Sequence, residues 1–581
     1  MNLRLKIEKQ NSIIVGYFLL FTSFLFLNQS SIHVLYEPGY LNYTALFYIG
    51  AFASIAIFKI KNIDTPTRFN LIDIAILLLI LVLMIRWILT NNSFIYSKGA
   101  IALSILPIYF YVKQAKYIDL IHWAILVNGL VQFGIIILQK IGYVPNTDSL
   151  FELGGSFGNP NVLAMVLLMT IFSSVYLLKS TSSKLLKYFL LVYIFLVIIT
   201  IVLTRCRSAM LALIIISILY LFTIEFKYSI LKYRYLGLVS ILTVFGVFIN
   251  LLFTKSESLF GRILIWKSCL LKIYEEPVWG YGISTFHKIF PDAQKQFLEN
   301  YQGSQLNSIA GNPKWAYNDF LELWLEGGIF IAIAFIFVLL SVLYYWRSHN
   351  RAKLVRNNPA ILAVFSFFIL GTVNFAFNAW SVLLLFVINL GLVSRSIDTS
   401  IALKLIPKYN LIPIIAILLF LGNVAFSLKN TSTLFFLSSL KTIDQKSLKE
   451  QEAFFMNNNQ YEDYLPFAFK NASFSKRTGN FHSEIKILRR LRSEVNSYDT
   501  NRQLAEAYMD INELDSAKRY FINALSIIPN RLTPQLNLFM IEYELGNIEL
   551  ADSIRVNVFK QEFKGDPNYI KGIKNYMAKW N

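Results

Sequence analysis

Thirteen apolar stretches run through the first 427 residues, and they decide what this chain can fold into. They fall at about 12–28, 42–58, 71–90, 99–112, 118–139, 160–178, 188–204, 208–225, 235–253, 321–346, 359–377, 380–394 and 411–427. Crossing a bilayer takes about 20 mostly apolar residues in a helix, because lipid offers no partner to the backbone. Hydrophobic residues make up 55% of the 581 and charged residues 15%, too few charges for a soluble surface. The reading is all-α: a polytopic membrane protein of about 12–13 transmembrane helices. A soluble enzyme, a disordered chain and a disulfide scaffold are excluded.

The net charge is +19. Residues 428–581 hold 21 Lys+Arg against 18 Asp+Glu, so the excess sits with the apolar part. Nucleic-acid binding would need a basic soluble face, which the tail lacks. Arg4, Lys6 and Lys9 precede the first stretch, and no A-x-A-like cleavage site follows, so it reads as a retained anchor. With the N-terminus cytoplasmic, the inside loops collect basic residues, from Lys59, Lys61 and Arg68 through Arg347, Arg351, Lys353 and Arg356. The short outside loops hold Lys98, Lys140, Arg205 and Arg207. That orientation makes residues 1–427 the membrane domain. A large loop, 254–320, and the tail, 428–581, then both lie outside.

The tail changes character to ordinary charge density and helical periodicity. Leu504, Ala505, Tyr508, Ala517, Phe521, Ala524 and Pro529 fit the tetratricopeptide pattern. A weaker copy carries Gly546 and Ala551 in register, and 480–496 is a degenerate earlier one. Such modules commonly bind a protein partner; a spacer is the plainer alternative.

Five places are polar enough to carry chemistry. Arg86 lies inside the third stretch, near its outer end, and either faces a polar cavity or snorkels. Gly154-Gly155-Ser156-Phe157-Gly158-Asn159-Pro160-Asn161 enters the sixth from outside; Asn161 is a candidate substrate contact, and a loop with Pro in the first helical turn is the alternative. Thr204-Arg205-Cys206-Arg207-Ser208-Ala209 puts two arginines in an outer turn. They want an anion, either lipid headgroups or a phosphate-bearing substrate. The outer loop opens on Arg262 and Trp266, with Leu259, Ile263, Trp266, Leu270 and Ile273 spaced for a helix lying on the membrane. It then turns through Pro277-Val278-Trp279-Gly280-Tyr281-Gly282. Last come Trp315, Tyr317, Asn318, Asp319, Glu322 and Glu326, the carboxylates on roughly one helix face.

In this order, the segments resemble the O-antigen ligase superfamily, which includes O-antigen ligases, O-antigen polymerases and protein O-oligosaccharyltransferases. The resemblance covers about 70–395, with its core at 150–330. It rests on Phe157–Ala164, Arg207-Ser208-Ala209, Arg262 with Trp266, Pro277 with Gly280 and Gly282, and Asn318, Leu321, Glu326 and Gly328. It implies metal-independent glycosyl transfer on the periplasmic face, from a glycan on undecaprenyl pyrophosphate to a lipid A-core or protein hydroxyl. Arg207 and Arg262 would hold the pyrophosphate, with Asp319 or Glu322 as base; Arg86, Asn161, Arg205, Trp266, Tyr317 and Asn318 would contact substrate. The family's histidine slots hold Trp315 and Tyr317 here, so the usual base is missing; His287 is a further candidate. A repeat-unit polymerase, a transporter and a non-catalytic scaffold remain alternatives.

The five histidines do not pair at metal spacing, and no nucleotide fingerprint implies a cofactor. Cys206 and Cys269 both fall outside, as free thiols or as a disulfide.

Overall fold

The computed structural model describes residues 69–89, 98–115, 117–146, 151–223, 256–300, 306–348, 357–397, 442–462 and 464–579, with isolated positions between them. The stretches expected at 12–28, 42–58, 235–253 and 411–427 lie outside those ranges. The described chain is helical: α1 Leu71–Leu89, α2 Lys98–Gln114, α3 Ile118–Lys140, α4 Pro160–Ser180, α5 Lys184–Leu203, α6 Arg207–Thr223, α7 Ser256–Glu275, α8 Phe286–Asn300, α9 Asp319–Ser348, α10 Ala360–Val373, α11 Trp380–Arg395. The tail follows with α12 Leu448–Asn457, α13 Leu465–Arg477, α14 Phe481–Glu494, α15 Tyr498–Asp510, α16 Leu514–Ile527, α17 Leu532–Glu544, α18 Ile548–Lys560 and α19 Pro567–Met577. One two-residue strand pair, His33–Val34 with Glu37–Pro38, is the exception among the described residues.

Residues divide into two compact units. The first holds 1–254, 282–284 and 317–435. Of its described helices α3, α4, α5 and α9 are long and apolar enough to cross a membrane, while α10, α11 and most of α6 are apolar and shorter. This is a polytopic helical membrane protein. The helices begin where the local chemistry favours it: Asn159 Oδ1 accepts from Asn161 N at 2.9 Å and Pro160 opens α4. On α5, Leu185, Tyr188, Phe195 and Leu203 stand exposed, as suits a helix whose outer face meets lipid. By contrast, nearly every residue of α10 and α11 is buried, so they form the centre of the bundle.

Polar side chains stitch one end of this unit. Asp73 is fully buried; its carboxylate accepts from Tyr109 Oη at 2.6 Å and Ser394 Oγ at 3.2 Å and pairs with Lys113. Asn70 Nδ2 donates to Ser394 Oγ at 2.8 Å, and Leu71 N donates to Tyr345 Oη at 3.3 Å. α1, α2, α9 and α11 are thereby tied together, every acceptor answered as burial requires.

The second unit holds 255–281, 285–316 and 436–581. The sequence suggests two domains, a loop and a tail; the contacts make one body. The tail stacks helices pairwise, α13 on α14, α15 on α16 and α17 on α18. Leu504, Ala505, Tyr508, Ala517 and Phe521 share one core with Leu488, Leu491 and Ile541. The small residues allow the close approach that Phe521, fully buried, fills. Gly546 takes φ 77° between α17 and α18, a conformation that favours glycine.

α7 packs one side against protein. Its Leu264, Ile265, Ser268, Cys269 and Ile273 are buried, because α8 and the turn at 306–309 pack against it. Of the apolar face expected to lie on the membrane, Leu259 and Leu270 are exposed, beside Tyr274.

Candidate active site

Residues 374–379, between α10 and α11, join the segments that the sequence sets far apart. Asn374 Nδ2 donates to Ser208 Oγ at 2.7 Å, and Ser208 adjoins Arg207. Asn378 Nδ2 donates to Glu322 Oε1 at 2.7 Å, and Phe377 N donates to Asp319 Oδ2 at 2.8 Å. The Tyr317 ring meets Phe375 edge-on at 5.6 Å between centroids. One six-residue turn therefore gathers the arginine turn and the acidic start of α9 at one end of the first unit. Asp319 and Glu322 are each only 1% exposed.

The start of α9 is built for this. Asn318 Oδ1 accepts from Phe320 N and Leu321 N, both at 3.1 Å, so the expected substrate contact is also the helix cap. Two carboxylates in the first turn suit the positive end of the helix. Gly371 makes room for one of them: a Cβ there would lie 3.0 Å from Asp319 Oδ2. At Gly328, φ 73° and ψ −174° break the helix, and Glu326 O accepts from Gly282 N at 2.7 Å. Gly282 and Glu326, in separate motifs of the sequence, meet in that bond.

Arg205 and Tyr317 hold left-handed φ of 53° and 52°, costly for non-glycine residues by about 1–3 kcal/mol each. Both flank the gathered turn's partners. Arg205 is exposed, and Arg207 is half-buried at the first position of α6. Asn161 is half-buried in the first turn of α4, and Arg86 is buried near the end of α1.

The loop before α4 is rigid for a reason invisible in its own sequence. Two glutamines of α3 hold it. Gln132 Oε1 accepts from Ser156 N at 3.0 Å; Gln139 Oε1 accepts from Gly155 N at 3.0 Å while its Nε2 donates to Gly155 O at 2.9 Å. Gly155 sits at φ 59°, and a Cβ would come within 2.6 Å of Gln132.

Arg262 and Trp266 belong to the second unit. Both are half-buried on α7, and Trp266 Nε1 donates to Ala316 O at 3.0 Å. Cys206 and Cys269 are both buried and not joined in a disulfide; Cys206 Sγ lies 3.3 Å from Ser208 Oγ. His122 is buried, 3.1 Å from Ser173 Oγ and stacked on Tyr176, a satisfied core histidine.

The sequence reading missed Asn374, Asn378, Gln132 and Gln139. Its only signal was polarity inside apolar runs, amides within 359–394 and within 118–139.

Residues 192–336 match the family described as O-antigen ligase. The chain is also 25% identical over 370 residues to a "ComP-specific O-oligosaccharyltransferase" of Acinetobacter baylyi, covering 59% of this chain and 64% of that protein. The match thus spans just under two thirds of the relative.

Proposed function

From the similarity to O-antigen ligases over residues 192–336, we propose glycosyl transfer on the periplasmic face of the inner membrane. The donor is a glycan on undecaprenyl pyrophosphate, and the acceptor is a hydroxyl. The relative's name specifies oligosaccharyl transfer to oxygen with ComP as its target, which favours a protein acceptor over lipid A-core. The observation that carries the reading is the 374–379 turn, which ties Arg207's neighbour to Glu322.

The chemistry follows from the groups. The acceptor oxygen attacks the anomeric carbon, the bond from that carbon to the pyrophosphate oxygen breaks, and the pyrophosphate leaves with the electron pair. Arg207 and Arg262 neutralise that growing charge with planar guanidinium forks. The acceptor proton passes to a carboxylate. Glu322, oriented by Asn378, is the candidate, Asp319 being held by the backbone at Phe377. No step requires a metal ion. Arg86, Asn161, Arg205, Trp266, Tyr317 and Asn318 are the candidate substrate contacts.

The test is a deletion strain complemented with Arg207→Ala or Arg262→Ala. Lipid-linked glycans are extracted and sized, beside glycan blots with and without protease. Accumulated long lipid-linked chains with loss of a protease-sensitive signal are expected. Normal transfer by both variants would overturn the pyrophosphate role.

A further inference from the structure

We propose that the helical repeats are a positioning element for the loop that carries Arg262 and Trp266, acting through the buried amides of Gln294 and Asn530. The inference rests on the transfer reading for its consequence, and on packing within the second unit for its substance.

The loop and the repeats cap each other's helix ends. The last carbonyls of a helix lack intrahelical donors. Ile527 O, at the end of α16, accepts from Gln294 Nε2 of α8 at 2.8 Å. The same nitrogen donates to Gly311 O at 3.0 Å. In return Asn530, just past α16, donates from Nδ2 to Ser308 O at 2.6 Å and Ala310 O at 2.9 Å, closing the short turn at 306–309. Gln294 is 1% exposed and Asn530 4%. A buried amide left without these partners loses its hydration with nothing in return, so each segment needs the other.

Between the two amides lies an apolar cluster drawn from both segments: Leu264, Phe297, Leu298 and Ala310 from the loop, Tyr498, Ala524, Ile527 and Ile528 from the repeats. Leu264 stands midway between Arg262 and Trp266 on α7. The helix that presents those residues shares this cluster through Leu264, and α8, packed against it, meets α16 of the repeats. Asn496 Nδ2 to Asp292 Oδ1 at 2.7 Å and Lys288 to Glu494 at 3.3 Å close the rim. A module that only captured acceptors would share no core with the loop.

The test uses the full chain in membranes with Gln294→Leu and Asn530→Leu. Cys269, buried on α7, is an internal reporter that needs no activity: its maleimide labelling is located by peptide mass. Labelling about tenfold faster or more is expected in each variant. Transfer should fall about tenfold in kcat for every acceptor, short soluble ones included, with acceptor KM unchanged. Combining Asn530→Leu with Arg262→Lys should cost less than the product of the two losses, as coupled residues do. Should the Leu variants fail to accumulate, Asn530→Ser, which keeps one donor, is read the same way. Protected Cys269 in all of them, or a loss confined to the KM of one acceptor, would overturn the proposal. A parent protein without transfer would instead sink the transfer reading, and Cys269 labelling would still decide the clamp.

Discussion

The 374–379 turn and the Gln294–Asn530 clamp do the same job in opposite settings. Each joins segments distant in sequence, and each uses carboxamides to do it. In the first unit, apolar contact is a weak organiser, because lipid is as apolar as leucine. Polar bonds such as Asn378 to Glu322 then specify which helices meet. In the second unit, the apolar cluster around Leu264 and Ile527 supplies the attraction, and the amides choose the register. The same side chains therefore mean different things: buried amides are the organising contacts of the membrane unit and the fine adjustment of the other.

Breaking the chemistry should have the largest effect. Arg207→Ala is expected to lower transfer by a hundredfold or more, about what one lost charge-stabilising donor costs, measured as accumulation of lipid-linked glycan. Restored transfer on adding guanidinium would sharpen the assignment. Next comes the core of the tail helices. Phe521→Ala empties a fully buried site at a cost of about 3–5 kcal/mol, and limited proteolysis of the full chain should then cut between 436 and 581. A protected tail would mean that the repeats draw their stability from elsewhere.

Asn378→Leu keeps size and removes the donor to Glu322, expected to cost about 1–3 kcal/mol and to lower kcat more than donor KM. Equal loss in Asn374→Leu would show that the turn acts as one piece. Gly371→Val, crowding Asp319, should do the same by steric means.

The smallest effect is electrostatic and belongs to the tail. Burial pushes the Glu484 carboxyl up to about 7; Asp510 and Glu506 nearby act in the same direction, and Lys476 opposes them. A carboxyl with a raised folded pKa holds its proton longer folded than unfolded. Stability should therefore fall as pH rises from about 4.5 to 7 and level off above. Glu484→Gln should flatten that slope in thermal melts at pH 5.5 and 8. An unchanged slope would move the titration to another group.

Much of this was readable from residue order. Arg207-Ser208-Ala209, the acidic face at Asp319 and Glu322, and the apolar spacing of Leu504, Tyr508 and Phe521 in the tail are each visible in local order. Asn374 and Asn378 did not, because they sit in a run apolar enough to pass as two ordinary spans, and their partners lie 166 and 56 residues away. Gln132 and Gln139 were hidden the same way within α3. The burial of Leu264, Ile265 and Cys269 was hidden too, because periodicity reports that a helix has an apolar stripe, not which neighbour will cover it.

Hydropathy alone determined that the chain is a helical membrane protein, since length and backbone hydrogen bonding leave lipid few alternatives. Motif order alone pointed to the O-antigen ligase superfamily. Only the tertiary structure decided that the loop and the tail are one body and that a six-residue turn joins the arginines' segment to the carboxylates. The physical reason is that a buried amide is satisfied by whatever carbonyl or carboxylate the fold brings within about 3 Å, and sequence spacing does not encode that distance.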